Sequence, residues 1–119
     1  MEIVNRRTSP PFTTKDGSTI RSLLDRTNSS AAHQSLAEAT LPPGRATEPH
    51  RHPKTEEIYY ILAGAGRMTL GDETCDIEPL DAILIPPGVR HTIAATGPHP
   101  LRFLCCCSPP YTHDDTLLD

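Results

Sequence analysis

Residues 44–64 read Gly44-Arg-Ala-Thr-Glu-Pro-His50-Arg51-His52-Pro-Lys-Thr-Glu56-Glu57-Ile-Tyr59-Tyr-Ile-Leu-Ala-Gly64, and this stretch decides the fold. Its second half, Glu56–Ala63, is rich in β-branched and aromatic residues, is too short for a lone helix, and is closed by Gly64. A strand is expected there. The first half is polar and bounded by prolines, so Arg45–Thr55 is expected to be an irregular connection. In extended backbone side chains repeat every two residues, which sends His50 and His52 to the same side. Glu57 follows at the start of the strand and can add a carboxylate oxygen. Much further along, Pro86-Pro87-Gly88 stops the apolar run Ala82–Ile85, and His91 comes three residues after Gly88. Three imidazoles and one carboxylate make a borderline-hard donor set suited to Fe, Mn, Ni, Cu, Co or Zn.

The rest of the chain has the same punctuation. Thirteen prolines in 119 residues are about 11%, against a usual ~5%. Most stand in pairs: Pro10–Pro11, Pro42–Pro43, Pro86–Pro87 and Pro109–Pro110. Proline cannot donate to a helix or a central sheet ladder, so this spacing excludes a helical bundle and a coiled coil. Further strands are expected over His33–Leu41, Gly66–Leu70, Thr74–Ile77, Ala82–Ile85, His91–Ala95 and Leu101–Cys107, with a hairpin turn at Gly71-Asp72. Ser18–Arg26 is ambiguous: Ile20, Leu23 and Leu24 have helical spacing, yet a short strand fits almost as well. Turns about every 8–12 residues are the pattern of a β-sandwich or barrel. The length suits one domain with a single core and no disulfide staples.

Charge and cysteine usage exclude several classes. A net charge of −4 argues against nucleic acid, which needs a basic stripe. The acidic residues Asp72, Glu73, Asp76, Glu78 and Asp81 lack calcium-loop spacing and read as a solvated hairpin and its flanks. No stretch approaches the ~20 apolar residues of a membrane span, and the N-terminus has no apolar signal core. Cys75 and the consecutive Cys105, Cys106 and Cys107 contain no C-x-x-C. Strand neighbours point to opposite faces, so the triplet is a poor disulfide framework. Small buried hydrophobes are expected in preference to a soft-metal or redox site. A reducing cytoplasm is the expected compartment.

The two histidine-bearing stretches resemble the two signature motifs of the cupin superfamily, G(x)5HxH(x)3-4E(x)6G and G(x)5PxG(x)2H(x)3N. The first matches at every specified position, from Gly44 to Gly64. In the second, Leu80 stands for the opening glycine and Ala95 for the final asparagine. Both are turn positions, so these departures bear on loop geometry and not on ligands. The resemblance covers roughly Gln34 to Pro110 and is to small single-domain bacterial members. It implies an all-β, double-stranded β-helix or jelly-roll barrel of two antiparallel sheets. It also implies one divalent transition-metal ion per chain (Fe, Mn, Ni or Zn), held inside by His50, His52, Glu57 and His91. Counting back from Gly64 selects Glu57; Glu56 faces the other way and would replace it only if the register slipped. Cupins of this size are commonly homodimers, and an open double-sheet barrel leaves edges that a partner can cover.

The expected organisation is an N-terminal arm over residues 1–30 with a short strand or helix, a barrel over 31–110, and a loosely packed acidic tail over 111–119. Tyr59 and Ile61 share the inward face of Glu57, and Val89 and Ile93 flank His91 on its side. Tyr59 is thus the candidate catalytic residue, as hydrogen-bond donor or acid–base group, or else a core tyrosine with its hydroxyl at the barrel mouth. Arg51 and Arg90 should point away from the ligands, and His33, His99 and His113 read as surface residues.

Two function classes stay open, both with a small-molecule ligand and with neither nucleic acid nor membrane as partner. One is a metal-dependent enzyme: a dioxygenase, or an isomerase or lyase using the metal as Lewis acid. The other is a metal-containing binding or sensing module without turnover. The want of a basic cluster counts mildly against a phosphosugar substrate, and beyond the ligands and Tyr59 no general acid or base is evident.

Overall fold

The prolines and glycines cut the chain into nine short strands, described by a computed structural model of residues 1–119. These are β1 (Phe12–Thr13), β2 (Thr19–Leu24), β3 (Ser35–Leu41), β4 (Glu56–Ala63), β5 (Gly66–Leu70), β6 (Glu73–Ile77), β7 (Ala82–Ile85), β8 (His91–Ala95) and β9 (Leu101–Ser108), after a 3-10 turn at Arg6–Thr8. They form a six-stranded sheet in the order β1-β2-β3-β9-β4-β7 and a three-stranded sheet in the order β6-β5-β8. All pairings are antiparallel. The fold is an all-β jelly roll.

The core lies between the sheets, and strand parity decides who enters it. On β4, Glu57, Tyr59 and Ile61 are buried while Glu56, Ile58 and Tyr60 are exposed. Opposite them on β9, Cys107, Cys105 and Phe103 pair with Glu57, Tyr59 and Ile61. Phe103, Leu41, Ile61, Ile85, Ile93 and Leu101 are the large apolar side chains with almost no exposure. The aromatic contribution is small, and Tyr59 against Phe103, with ring centroids 4.6 Å apart, is most of it.

The ambiguous segment Ser18–Arg26 is a strand. Tertiary pairing overrides the helical spacing, because β2 bonds along β3 and its register shifts between Ser22 and Leu24, which accommodates two adjacent leucines. It therefore adds to its own chain's sheet. The connection Arg45–Thr55 is irregular but docked along β8 by bridges at Ala46–Ala94 and His50–His91.

The tail departs from expectation: it packs firmly. Thr116 is buried, and Leu117 exchanges two backbone hydrogen bonds with Arg51. The Asp115 carboxylate accepts from the backbone N–H groups of Lys54 and Thr55. Lys15 Nζ, at the β1–β2 turn, donates to the carbonyls of His113 and Thr116 at 3.2 and 2.8 Å. Tail acidity, read as a sign of solvation, instead satisfies backbone donors of the connection.

Candidate metal centre

His50 and His91 are brought face to face by backbone pairing. The His50 N–H donates to the His91 carbonyl at 3.0 Å, and the reverse bond is 2.8 Å. Their rings lie 4.2 Å apart, centroid to centroid. His52 is fixed from the other direction, since its carbonyl accepts from Gly88 N–H at 2.8 Å, tying it to the Pro86-Pro87-Gly88 turn. The three side chains are fully buried, and one ring nitrogen of each lies within 4.8 Å of those of the other two.

Each imidazole is oriented through Nδ1. His50 Nδ1 meets the Glu48 carbonyl at 2.7 Å, His52 Nδ1 the Asp115 carbonyl at 3.2 Å, and His91 Nδ1 the Val89 carbonyl at 2.9 Å. A carbonyl only accepts, so each Nδ1 carries the proton and the neutral ring turns an Nε2 lone pair inward. Glu57 Oε1 lies 3.3 Å from His52 Nε2 and 3.7 Å from His91 Nε2. Its other oxygen, Oε2, accepts a hydrogen bond from the Cys107 thiol at 3.2 Å.

Two buried side-chain atoms have no hydrogen-bond partner, Glu57 Oε1 and His91 Nε2. Leaving a buried polar atom unmade costs roughly 1–3 kcal/mol. Two such acceptors side by side, with two further Nε2 atoms nearby, fit a divalent cation bound by nitrogen and oxygen. The outer partners have the carbonyl–histidine form that orients metal ligands. Any metal bound here would be held by His50, His52, His91 and Glu57.

Burial and the neighbouring His50 depress the His91 pKa to about 4. Burial also opposes charge on His52, but the nearby Glu57 carboxylate outweighs it and raises its pKa. Burial above all, then Glu57, pushes the Tyr59 phenol well above 10 and raises the Cys107 thiol, so both keep their protons. The His91 shift has a consequence for the metal-free chain. Above pH 6.5 the ring is neutral folded and unfolded; between pH 6.5 and about 4 only the unfolded chain takes the proton. Stability is therefore lost as pH falls through this window, by about 3 kcal/mol from this residue, partly offset by His52. Urea midpoints of the metal-free protein from pH 7.5 to 4 should fall more steeply for wild type than for His91→Asn. Parallel profiles would show that His91 is not held neutral.

Glu56 is exposed, as are His33, His99 and His113. Arg51 and Arg90 do point away, and both grip the tail: Arg51 pairs with Asp119 at 3.1 Å and Arg90 bonds the carbonyls of Leu118 and Asp119. Val89 is half-buried in the turn, whereas Ile93 is fully buried. The cysteine triplet is not uniform. Cys105 and Cys107 are buried, Cys106 lies half-exposed on the outer face, and Cys107 holds Glu57. Sequence reasoning missed Cys107, Asp115, Thr116 and Asp16, whose Oδ2 stands 3.4 Å from His50 Nε2. In the sequence, Asp16 followed by Gly17 is a turn signal and nothing more.

A cavity of about 60 Å³ opens on this cluster. His50, His52, Glu57, Tyr59 and Asp16 line it, with Tyr111 from the tail, and its walls contain no Lys or Arg.

Fold and site together define a small β-barrel whose interior brings three histidines into position to bind a metal ion. Residues 37–107 match the cupin domain family, and the chain belongs to it. It is 50% identical over 106 residues to the uncharacterized protein MJ1618 of Methanocaldococcus jannaschii, covering 89% of this chain and 85% of that one. Among solved structures it is similar to a "predicted oxalate decarboxylase" of Thermotoga maritima, with TM-score 0.79, 26% identity, and 89% and 97% of the two chains covered. It is also similar to the polyketide cyclase RemF of Streptomyces resistomycificus, with TM-score 0.77, 29% identity, and coverage of 91% and 79%. Three further curated relatives, from Streptomyces species, are 27–33% identical, and the chain spans 62–64% of their length. No helix is long and apolar enough to cross a membrane.

Proposed function

We propose that this cupin is a metal-dependent enzyme acting on a small, uncharged carbonyl- or hydroxyl-bearing molecule by isomerisation or elimination. The observation that carries this reading is the pair of orphaned acceptors, Glu57 Oε1 and His91 Nε2, beside a cavity that holds Tyr59. The three histidines and Glu57 would hold a divalent ion, which would supply Lewis acidity toward a substrate oxygen. The chain's own residues do the rest. Tyr59 keeps its proton at Oη through burial and can donate it to a developing oxyanion. Ile20, Ala39 and Phe103 wall the cavity and exclude bulk water.

Cavity size and charge narrow the substrate. At ~10–15 Å³ per water, about 60 Å³ gives room for several waters or a compact molecule in their place. Asp16, Asp25 and Glu57 face the cavity without a Lys or Arg, so even with a divalent ion bound the walls offer no net positive charge to an anionic substrate, phosphosugars included. Neither cyclase nor decarboxylase, the names carried by the two structural relatives, denotes an oxygenase. That favours Lewis-acid chemistry over the dioxygenase alternative. The proposal includes a cytoplasmic homodimer. Supporting it, Leu84, Ile58, Cys106 and Leu36 make a cross-strand apolar row on the outer face, with Leu84 54% exposed.

The test is deuterium exchange into small neutral hydroxycarbonyl compounds in D₂O, using chain loaded with Mn or Zn. Exchange is expected, lost on chelation, and reduced ~10²–10⁴-fold in Tyr59→Phe with metal content unchanged. Saturable binding without exchange would make the protein a binding module, and oxygen consumption would make it an oxygenase.

A further inference from the structure

Asp16 lies in the turn between β1 and β2, outside both histidine motifs and outside the 37–107 family match. Its two carboxylate oxygens have different surroundings. Oδ1 accepts three hydrogen bonds from its own turn: Thr14 Oγ1 at 2.7 Å, Ser18 N–H at 2.8 Å and Ser18 Oγ at 2.6 Å. Oδ2 is turned to His50 Nε2, 3.4 Å away, and the side chain is only 14% exposed.

Glu57 is built on the same plan. One of its oxygens is pinned by the Cys107 thiol and the other faces His52 and His91. Because His50 gives its Nδ1 proton to the Glu48 carbonyl, its Nε2 is an acceptor in the neutral ring. An acceptor thus faces an acceptor at His50–Asp16, as it does at His52–Glu57 and His91–Glu57. Such contacts are repulsive unless positive charge lies between them. The backbone holds the first contact in place from both sides. Glu48 N–H donates to the Asp16 carbonyl at 2.7 Å, while the Glu48 carbonyl receives the His50 ring.

We propose that Asp16 is a fifth donor to the metal, supplied by the β1–β2 turn, completing a set of three imidazoles and two carboxylates. This rests on the four-residue cage described above. Two carboxylates balance the charge of a divalent ion, so the ion and its five donors together would carry no net charge. The additional oxygen donor also biases the site toward harder ions such as Mn or Fe. Asp16 is then a specificity-determining residue for both metal and substrate.

The test is titration of the metal-free full chain with cobalt(II), read by visible absorption, in wild type, Asp16→Asn and Thr14→Ala. Asparagine keeps an oxygen for the three turn hydrogen bonds but presents a neutral amide to His50. Thr14→Ala removes one turn bond and keeps the carboxylate. Asp16→Asn should lose at least the ~10–100-fold in affinity that an outer-sphere partner costs, and its absorption should intensify as the coordination number drops. Thr14→Ala should keep the wild-type bands. Wild-type affinity and bands in Asp16→Asn would overturn the proposal. So would weakened affinity with unchanged bands, which would make Asp16 a positioning residue for His50. If Asp16→Asn does not fold by circular dichroism, Asp16→Glu, which keeps the charge and moves the oxygens, is read for the same band change. No cobalt uptake by wild type would remove the cage itself, whereas a failure confined to the Asp16 variants leaves the cage standing.

Discussion

Protein carrying His91→Ala should emerge from purification without a bound transition ion, whereas wild type carries about one per chain. The loss should exceed the ~10–100-fold that removing an outer-sphere partner costs, because a direct donor is deleted. His91 is the pivot of the site: it pairs with His50 through two backbone hydrogen bonds, and its Nε2 is one of the two orphaned acceptors. Alanine keeps those backbone bonds and removes the ring, so the barrel should persist. His52→Ala should behave alike, while His33→Ala and His99→Ala, at exposed positions, should keep full metal content. Glu57→Gln should weaken binding and Glu56→Gln should not, since Glu56 lies on the outer face of β4. Elemental analysis of the purified variants reads all of these. Metal content in His91→Ala equal to wild type would remove the histidine cage.

Gly64→Ala should cost the fold about 3 kcal/mol or more, one of the largest effects of any single methyl group in this chain. Gly64 has φ +87°, and a Cβ there would meet the Pro100 carbonyl oxygen at 2.5 Å and Leu101 Cα at 2.9 Å. Both are backbone atoms of the chain entering β9, so relief requires moving a strand rather than rotating a side chain. The opposite change is expected at Leu80, which stands where the second motif has a glycine. Leu80 keeps φ at +78° and is 75% exposed, so it bears the left-handed conformation without compensating burial. Leu80→Gly should therefore raise stability by up to about 1 kcal/mol. Urea denaturation measures both. A Gly64→Ala midpoint at the wild-type value would mean that the two backbones do not meet there.

The strands were legible because they depend on local rules, and the candidate ligands because His50, His52, Glu57 and His91 stand at the spacings of the two cupin motifs. Parity along Glu56–Ala63 separates Glu57 from Glu56 before any tertiary contact is known, and the structure buries one and exposes the other. Pro86-Pro87-Gly88 marked a turn, and His52 bonds to it. What escaped sequence reasoning lies where distant segments meet. Asp16 reaches His50 across 34 positions, and His52 donates to the Asp115 carbonyl across 63. No periodicity encodes such contacts. Acidic tail residues look like solvated ones until a donor is found for them, and Lys54 and Thr55 provide it. Cys107 likewise had the composition of a core residue, and only its register opposite Glu57 gives the thiol a task.

The clasp of Lys15 on the carbonyls of His113 and Thr116 joins segments about 100 residues apart in sequence. Closing so long a loop carries an entropic cost that nearby contacts do not share, and pairings of this kind slow folding. The candidate donors come from three separate stretches, near residue 16, over 50–57 and at 91, with the tail behind them. They converge only once the sheets have docked. An ion bound here would not template the chain as it does a zinc finger, whose ligands are close neighbours; it would enter a barrel that has already formed, with folding first and loading second.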